Sequence, residues 1–234
     1  MGTQKGILAS KTEYKLLFIG NSATYVYDLP ATLAFLCAEK GINVTQKQIV
    51  TGGNTLESHS ADPTVFEEIA KGYDAVIIQE NGNSVITEEA RKKSLESCEK
   101  IGDAVKKSGA VFCFYVRPPY GMDLGGLKSF DQCKLFDDHF TPFANENNVS
   151  CVYVNRAFAY SIDKLNYNLW GEDNGHLNTY GAYLAVCTFY AGLFGKTATE
   201  LGIGYGLPEA DAKSLQRVAD KIALEGVIPW EING

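Results

Sequence analysis

Two short segments near opposite ends of the chain hold the residues best suited to acyl chemistry. The first is LLFIGNSATY, where Ser22 follows an apolar run by two residues and precedes a helical stretch. A serine there has its hydroxyl at a strand's carboxyl end and its N–H near a helix N-terminus, where partial positive charge favours an oxyanion. Taken alone, the same pattern fits Ser22 or Thr24 as a plain helix cap. The second segment is DNGHLNTYGAYLA, where Asp173 precedes His176 by three residues in a turn ahead of an apolar helix. A carboxylate so placed can accept from the imidazole Nδ1–H, which leaves Nε2 free as a base and steadies the imidazolium formed later. Gly175 makes the tight turn sterically easy. An isolated Asp-x-x-His is as often a surface ion pair. Together with a serine after the first strand, it points to nucleophilic catalysis.

Those segments need a scaffold that brings them to one edge. Segments 15–20, 42–50, 74–79, 110–116 and 150–155 read as five short strands, 42–50 by alternation in its first half and 74–79 apolar enough to be covered on both faces. Helices are expected over about 23–39, stopped at Gly41, and over 87–107, with Thr87 as N-cap and Glu88 and Glu89 in its first turn. Others are expected over 129–145, 179–194 and about 208–224. Alternating strands and helices predict right-handed βαβ units and a parallel sheet covered on both faces. Ligands in such sheets bind at the carboxyl ends of the strands, which is where Ser22 falls. No repeat, low-complexity tract or linker interrupts the chain, so one domain over 1–234 is expected.

Four segments in order resemble the sequence blocks of the SGNH (GDSL-like) hydrolases, over about Leu16 to Ala185. Gly20-Asn21-Ser22 is similar to the family's Gly-Asp-Ser, with Asn21 in the aspartate's place. TGGNTLESH supplies Gly53 for the second block, and Asp173 with His176 match the fourth. The third block, Gly-x-Asn-Asp in the family, is QENGNS here, with Asn81 in place of Gly and Ser84 in place of Asp. Ungapped counting from Asp74 sets Asn83 on the family's asparagine, with Asn81 as the other reading. The resemblance implies a three-layer α/β/α sandwich with a flavodoxin-like five-stranded parallel sheet of order 2-1-3-4-5. It also implies Ser22 as nucleophile, His176 as base and Asp173 as its partner. The oxyanion would be held by the N–H groups of Ser22 and Gly53 and the Asn83 amide, without cofactor or metal.

Other polar residues lie near the same edge. His59, six residues after Gly53, could reach the cleft mouth and touch substrate, or lie on a surface loop. Arg117, ending the fourth strand before Pro118 and Pro119, could touch a polar group of the substrate or anchor a loop. His139, beside Asp137 and Asp138, reads as solvated surface. Tyr25, Tyr120 and Trp170 could form a wall for a sugar face or simply pack.

Composition narrows the partners. The 234 residues are 45% hydrophobic and 21% charged, with a net charge of −7 and interspersed signs, so nucleic acid and anionic membranes would be repelled. A small acyl ester or acylated sugar is the expected partner; oligomeric state is not legible. None of the six cysteines forms a CxxC or zinc spacing, which predicts reduced, buried thiols. MGTQKGILASKTEYK has no apolar leader core, so a cytoplasmic location is expected, or a secreted one if the chain was trimmed. AYLAVCTFYAGLF is too short for a membrane span. The expectation is a serine esterase for short acyl groups, acetyl foremost. The alternatives are a non-catalytic binding module, a lipase or thioesterase of the same family, and a flavin or nucleotide binder. GNSATY lacks the glycine density that a phosphate cradle needs.

Overall fold

The computed structural model describes residues 5–232; the ends of the expected 1–234 domain lie outside the described residues. Five strands form one all-parallel sheet of order β2-β1-β3-β4-β5: β1 (Glu13–Gly20), β2 (Asn43–Val50), β3 (Ala75–Ile78), β4 (Val111–Val116) and β5 (Ser150–Tyr153). Their carboxyl ends are level, with Gly20 opposite Val50, Ile19 opposite Ile78, and Ile78 opposite Phe114.

Alternation along the strands splits the interior in two. Leu16 and Phe18 of β1, Ile77 of β3 and Tyr115 of β4 face one layer. Leu17, Ile19, Val76, Ile78, Phe112 and Phe114 face the other. A sheet buried on both faces needs apolar residues at successive positions, which is why LLFI and AVII carry no polar interruption. The first layer contains α2 (Leu29–Ala38), α7 (Val154–Lys164), α8 (Thr179–Phe194) and α9 (Glu209–Ala223). The second contains α3 (Leu56–Ala61), α4 (Pro63–Ile69), α5 (Glu88–Ser108) and most of the apolar face of α6 (Ser129–Asn147). Helix α8 is buried nearly all round, and at its far end the Gly192 and Leu193 carbonyls accept from the N–H groups of Ile7 and Leu8, which precede β1. Its N-terminus and the Asp173–His176 turn are thereby at the sheet's carboxyl edge.

Several expectations are corrected. The single helix over 23–39 is two, α1 (Ser22–Tyr25) and α2, separated by a turn in which Tyr27 and Asp28 have φ of 67° and 44°. Pro30 lies in the first turn of α2, where its missing N–H costs nothing, but it cannot continue a helix from α1. The fifth strand ends at Tyr153, because Val154 opens α7 directly. His139 is not solvated: it is 8% exposed, its Nε2 lies 3.3 Å from Ser94 Oγ, and burial pushes its pKa down to about 4. Its neighbour Asp137 is also buried and pairs with Arg156 at 2.7 Å, tying α6 to α7. All six cysteines are free, five of them buried and Cys151 half-buried.

Candidate active site

Four loops leave the carboxyl ends of β1 to β4, a fifth between α7 and α8 returns to the same edge, and each is fastened to the next. The loop after β1 carries Ser22. Asn21, not Ser22 or Thr24, caps α1: its Oδ1 accepts from the Ala23 N–H at 3.1 Å. Its Nδ2 donates to the Asn54 carbonyl at 2.8 Å and so ties this loop to the one after β2. The Asn21 N–H and the Thr24 hydroxyl both donate to Gln79 Oε1, at 3.0 Å each. Gly20 allows this packing, since a Cβ there would meet that same oxygen at 2.7 Å. With capping done by its neighbour, the half-buried Ser22 keeps its hydroxyl and its N–H free of bonds within the described chain.

His59 is not at the cleft mouth. It lies on α3, is 3% exposed, and its Nε2 is 2.8 Å from the Gly20 carbonyl, where it donates. Burial lowers its pKa and keeps the ring neutral. In this position it anchors the end of β1 and offers no contact to a substrate.

The loops after β2 and β3 are joined through Asn81, whose Nδ2 donates to the Gly53 carbonyl at 2.8 Å. Its Oδ1 accepts from the Asn83 N–H at 3.0 Å, capping a 3₁₀ turn over Gly82–Val85. Both ends of the Asn81 amide are thus engaged. The exposed Asn83 side chain has no bond within the described chain, and neither does the Gly53 N–H.

Gly82 fastens this loop to the next. A Cβ there would come within 2.4 Å of Arg117 Nη1 and 2.6 Å of the Tyr120 ring, so only glycine admits the approach. Arg117 is 4% exposed; its Nε donates to the Pro118 carbonyl at 2.9 Å and its guanidinium lies 4.0 Å from the Tyr120 ring centroid. The structure sets it under the loop, beside Phe136. Tyr25 is exposed, whereas Tyr120 and Trp170 are half-buried; Trp170 Nε1 donates to the Pro119 carbonyl at 2.9 Å.

The fifth loop holds the acid–base couple. The Gly121 N–H donates to the Asn174 carbonyl at 2.8 Å. The left-handed residue of the turn is Asn174, at φ 51°, not Gly175. Asp173 Oδ1 accepts from the N–H groups of Gly175 and His176, at 2.9 and 3.0 Å, and Oδ2 faces His176 Nδ1 at 2.6 Å. These bonds, the His176 side chain first among them, lower the Asp173 pKa to about 2. His176 Nε2 makes no bond within the described chain, and none joins it to Ser22 Oγ. The couple is open to solvent, with side-chain exposures of 56% for Asp173 and 39% for His176.

A cavity of about 800 Å³ lies between α5 and α6, and one of about 270 Å³ lies beside Glu80 and Asn83. Neither is lined by Ser22 or His176. Among the described residues, no group of three or more His, Cys, Asp or Glu side chains is arranged to hold a metal ion, and no helix is long and apolar enough to cross a membrane. Sequence reasoning missed the anchors Gln79 and Glu80. Their signal was a polar pair directly after the apolar run AVII, at the edge where loops must be held.

No family model matches the chain, and no curated protein matches it by sequence. Its fold does match solved structures. A DUF4886 family protein from Bacteroides uniformis aligns at a TM-score of 0.77 and 18% identity, over 90% of this chain and 94% of its own. A proposed SGNH hydrolase from Slackia heliotrinireducens aligns at 0.62 and 21%, over 74% and 95%. The acetylxylan esterase Axe2 from Geobacillus stearothermophilus aligns at 0.58 and 19%, over 77% and 94%. The three-layer sandwich with sheet order 2-1-3-4-5 is thus a fold found among SGNH-type esterases.

Proposed function

We propose that the chain is a serine esterase that removes short acyl groups, acetyl foremost, from an alcohol such as a carbohydrate hydroxyl. The observation that carries this reading is the Asp173–His176 couple. Its 2.6 Å bond fixes the tautomer with the proton on Nδ1, and Nε2 has no partner in the chain. Ser22, whose hydroxyl is likewise unengaged, lies on the same sheet edge.

In this mechanism Ser22 Oγ attacks the ester carbonyl while His176 Nε2 takes its proton. The oxyanion is held by the N–H groups of Ser22 and Gly53 and the amide of Asn83, all three free to donate. His176 returns the proton to the leaving alcohol, and the acyl-serine remains. Water, deprotonated by the same nitrogen, then attacks the acyl carbon and releases the carboxylic acid. The transfer requires Ser22 and His176 to draw together, since they share no bond in this structure; such bonds commonly tighten only when substrate engages. A short acyl group is favoured because the cavity of about 800 Å³ between α5 and α6, which has room for an alkyl chain, is not lined by Ser22. The carbohydrate alcohol follows the fold likeness to an acetylxylan esterase and the exposed Tyr25 three residues from Ser22.

The test is a fluorophosphonate probe together with p-nitrophenyl esters of two, four and eight carbons. The protein should be labelled at Ser22 and should turn over the acetate fastest. Ser22→Ala should abolish both reactions with an unchanged circular dichroism spectrum. Unlabelled wild-type protein would favour a binding module instead.

A further inference from the structure

Glu80, the second residue beyond the end of β3, is 3% exposed. No lysine or arginine among the described residues pairs with it. One of its oxygens, Oε1, accepts from two main-chain N–H groups: Leu56 at 3.0 Å and Asn81 at 2.6 Å. Leu56 is the first residue of α3, three beyond Gly53; Asn81 is two before Asn83. The other oxygen, Oε2, is buried without a hydrogen bond, with the hydroxyls of Ser84 and Ser94 beside it. Burial of a carboxyl without a cationic partner is costly, and here it raises the pKa. The group is kept where its one engaged atom joins two loops.

Those two loops carry two of the three oxyanion donors of the esterase reading, on which this inference rests. We infer that Glu80 is a positioning residue that sets the Gly53 N–H and the Asn83 amide relative to one another by clamping both loops at a single oxygen. The Asn81–Gly53 bond is a second tie between the same loops, but it joins a side chain to a carbonyl on exposed surface. The Glu80–Leu56 tie is buried and holds the first residue of α3, in the turn that Thr55 also caps by accepting from the Ser58 N–H.

The clamp needs an acceptor at the Oε1 position and no charge. Glu80→Gln keeps that acceptor and turns an NH₂ toward the Ser84 and Ser94 hydroxyls, which can accept. Glu80→Asp keeps the charge but withdraws the oxygen by about one C–C bond, roughly 1.5 Å, so that it cannot reach both N–H groups. Glu80→Ala removes it altogether.

Steady-state hydrolysis of p-nitrophenyl acetate and thermal melts of the three variants test this. One well-aimed oxyanion donor contributes on the order of 10²–10³ in rate. Partial misalignment of two should therefore lower kcat by about tenfold or more in Glu80→Asp and Glu80→Ala, with KM changed by less than about twofold. Glu80→Gln should stay within about threefold of wild type. A wild-type kcat in Glu80→Asp overturns the inference, as does a Glu80→Gln as slow as Glu80→Asp, or a loss confined to KM or melting temperature. If Glu80→Ala fails to fold, the Gln and Asp pair decides. Active wild type with indifferent Glu80 variants sinks the clamp alone; wild type that neither labels at Ser22 nor hydrolyses ester sinks the esterase reading and the clamp with it.

Discussion

Replacement of Asp173 by asparagine separates its two roles. In the wild type, Oδ1 holds the turn through the N–H groups of Gly175 and His176, and Oδ2 faces the imidazole at 2.6 Å. Asparagine keeps the first role, because its carbonyl can occupy the Oδ1 position. It reverses the second, because an NH₂ now faces Nδ1. Two donors cannot face each other, so the ring adopts the tautomer with its proton on Nε2, and the base is lost. Loss of charge contributes little, since the carboxylate is more than half exposed and its field is screened. Asp173→Asn should therefore lower kcat by roughly 10³–10⁴, about 4–5.5 kcal/mol of barrier, with the fold intact. The pH profile supplies a second arm. Asp173 stays ionised down to about pH 2. A fall in wild-type rate between pH 8 and pH 4 with an unchanged circular dichroism spectrum would then not come from Asp173. The assay is kcat on p-nitrophenyl acetate across that range, with circular dichroism of both proteins. An asparagine variant within tenfold of wild type would refute the tautomer argument, and a flat wild-type profile with chemistry rate-limiting would remove His176 as the base.

Asn83→Ala should lower kcat by about 10²-fold with little change in KM, because its amide is free to meet charge that develops only in the transition state. Asn81→Ala should be milder, acting only through the Gly53 loop it ties and the turn it caps at Asn83; the reverse order, measured on the same ester, would exchange the two roles. Stability should fall with acidification. His139 is held neutral by burial at a pKa of about 4, against an ordinary value of 6.5. Its contribution is full above pH 6.5 and is lost as pH falls toward 4, at most about 3 kcal/mol. His59, lowered in the same direction, adds to the trend. Urea denaturation at pH 7 and pH 4.5 should show the loss in wild type and less of it in His139→Gln; equal losses in both would place the effect elsewhere.

Four strands were legible as short apolar runs between polar breaks, whereas the edge strand β2, NVTQKQIV, showed only as alternation in its first half. The helix signals at Thr87 and Gly41 served because caps and left-handed stops are local. What could not be read was non-local. His139 looks like surface when judged by Asp137 and Asp138, yet it is three residues from Phe136 and one from Phe140, on the side of α6 that packs against the sheet. His59 lies on a six-residue helix too short for periodicity to reveal, although Thr55 and the Asp62-Pro63 pair mark its two ends. The break before Pro30 is a local signal, but the apolar run on both sides masked it. At the candidate site, Ser22, Asp173 and His176 were visible from type and spacing, and Asn83 only from resemblance. Gln79 and Glu80 stood out only as a polar pair after AVII, and their role could not be read because it depends on partners 24 to 58 residues away.

The proposed catalytic groups and their supports differ in one physical respect. The Ser22 hydroxyl, the Gly53 N–H, the Asn83 amide and His176 Nε2 lack partners in the described chain and lie at least partly in solvent. Asn21, Gln79 and Asn81 engage both ends of their amides, and His59 spends its Nε2 on the Gly20 carbonyl. A polar atom left unpaired inside would be costly, whereas one left unpaired at a wet edge costs little until a substrate replaces the water. This division bears on the degraded third block. Glycine at position 81 would leave the Gly53 carbonyl and the Asn83 N–H without their present partners. Asparagine there supplies both, so the departure from the family pattern adds a tether beside the oxyanion donors and removes none of them. In the proposed mechanism the segment is altered in how it is held, and the group offered to substrate is the Asn83 amide.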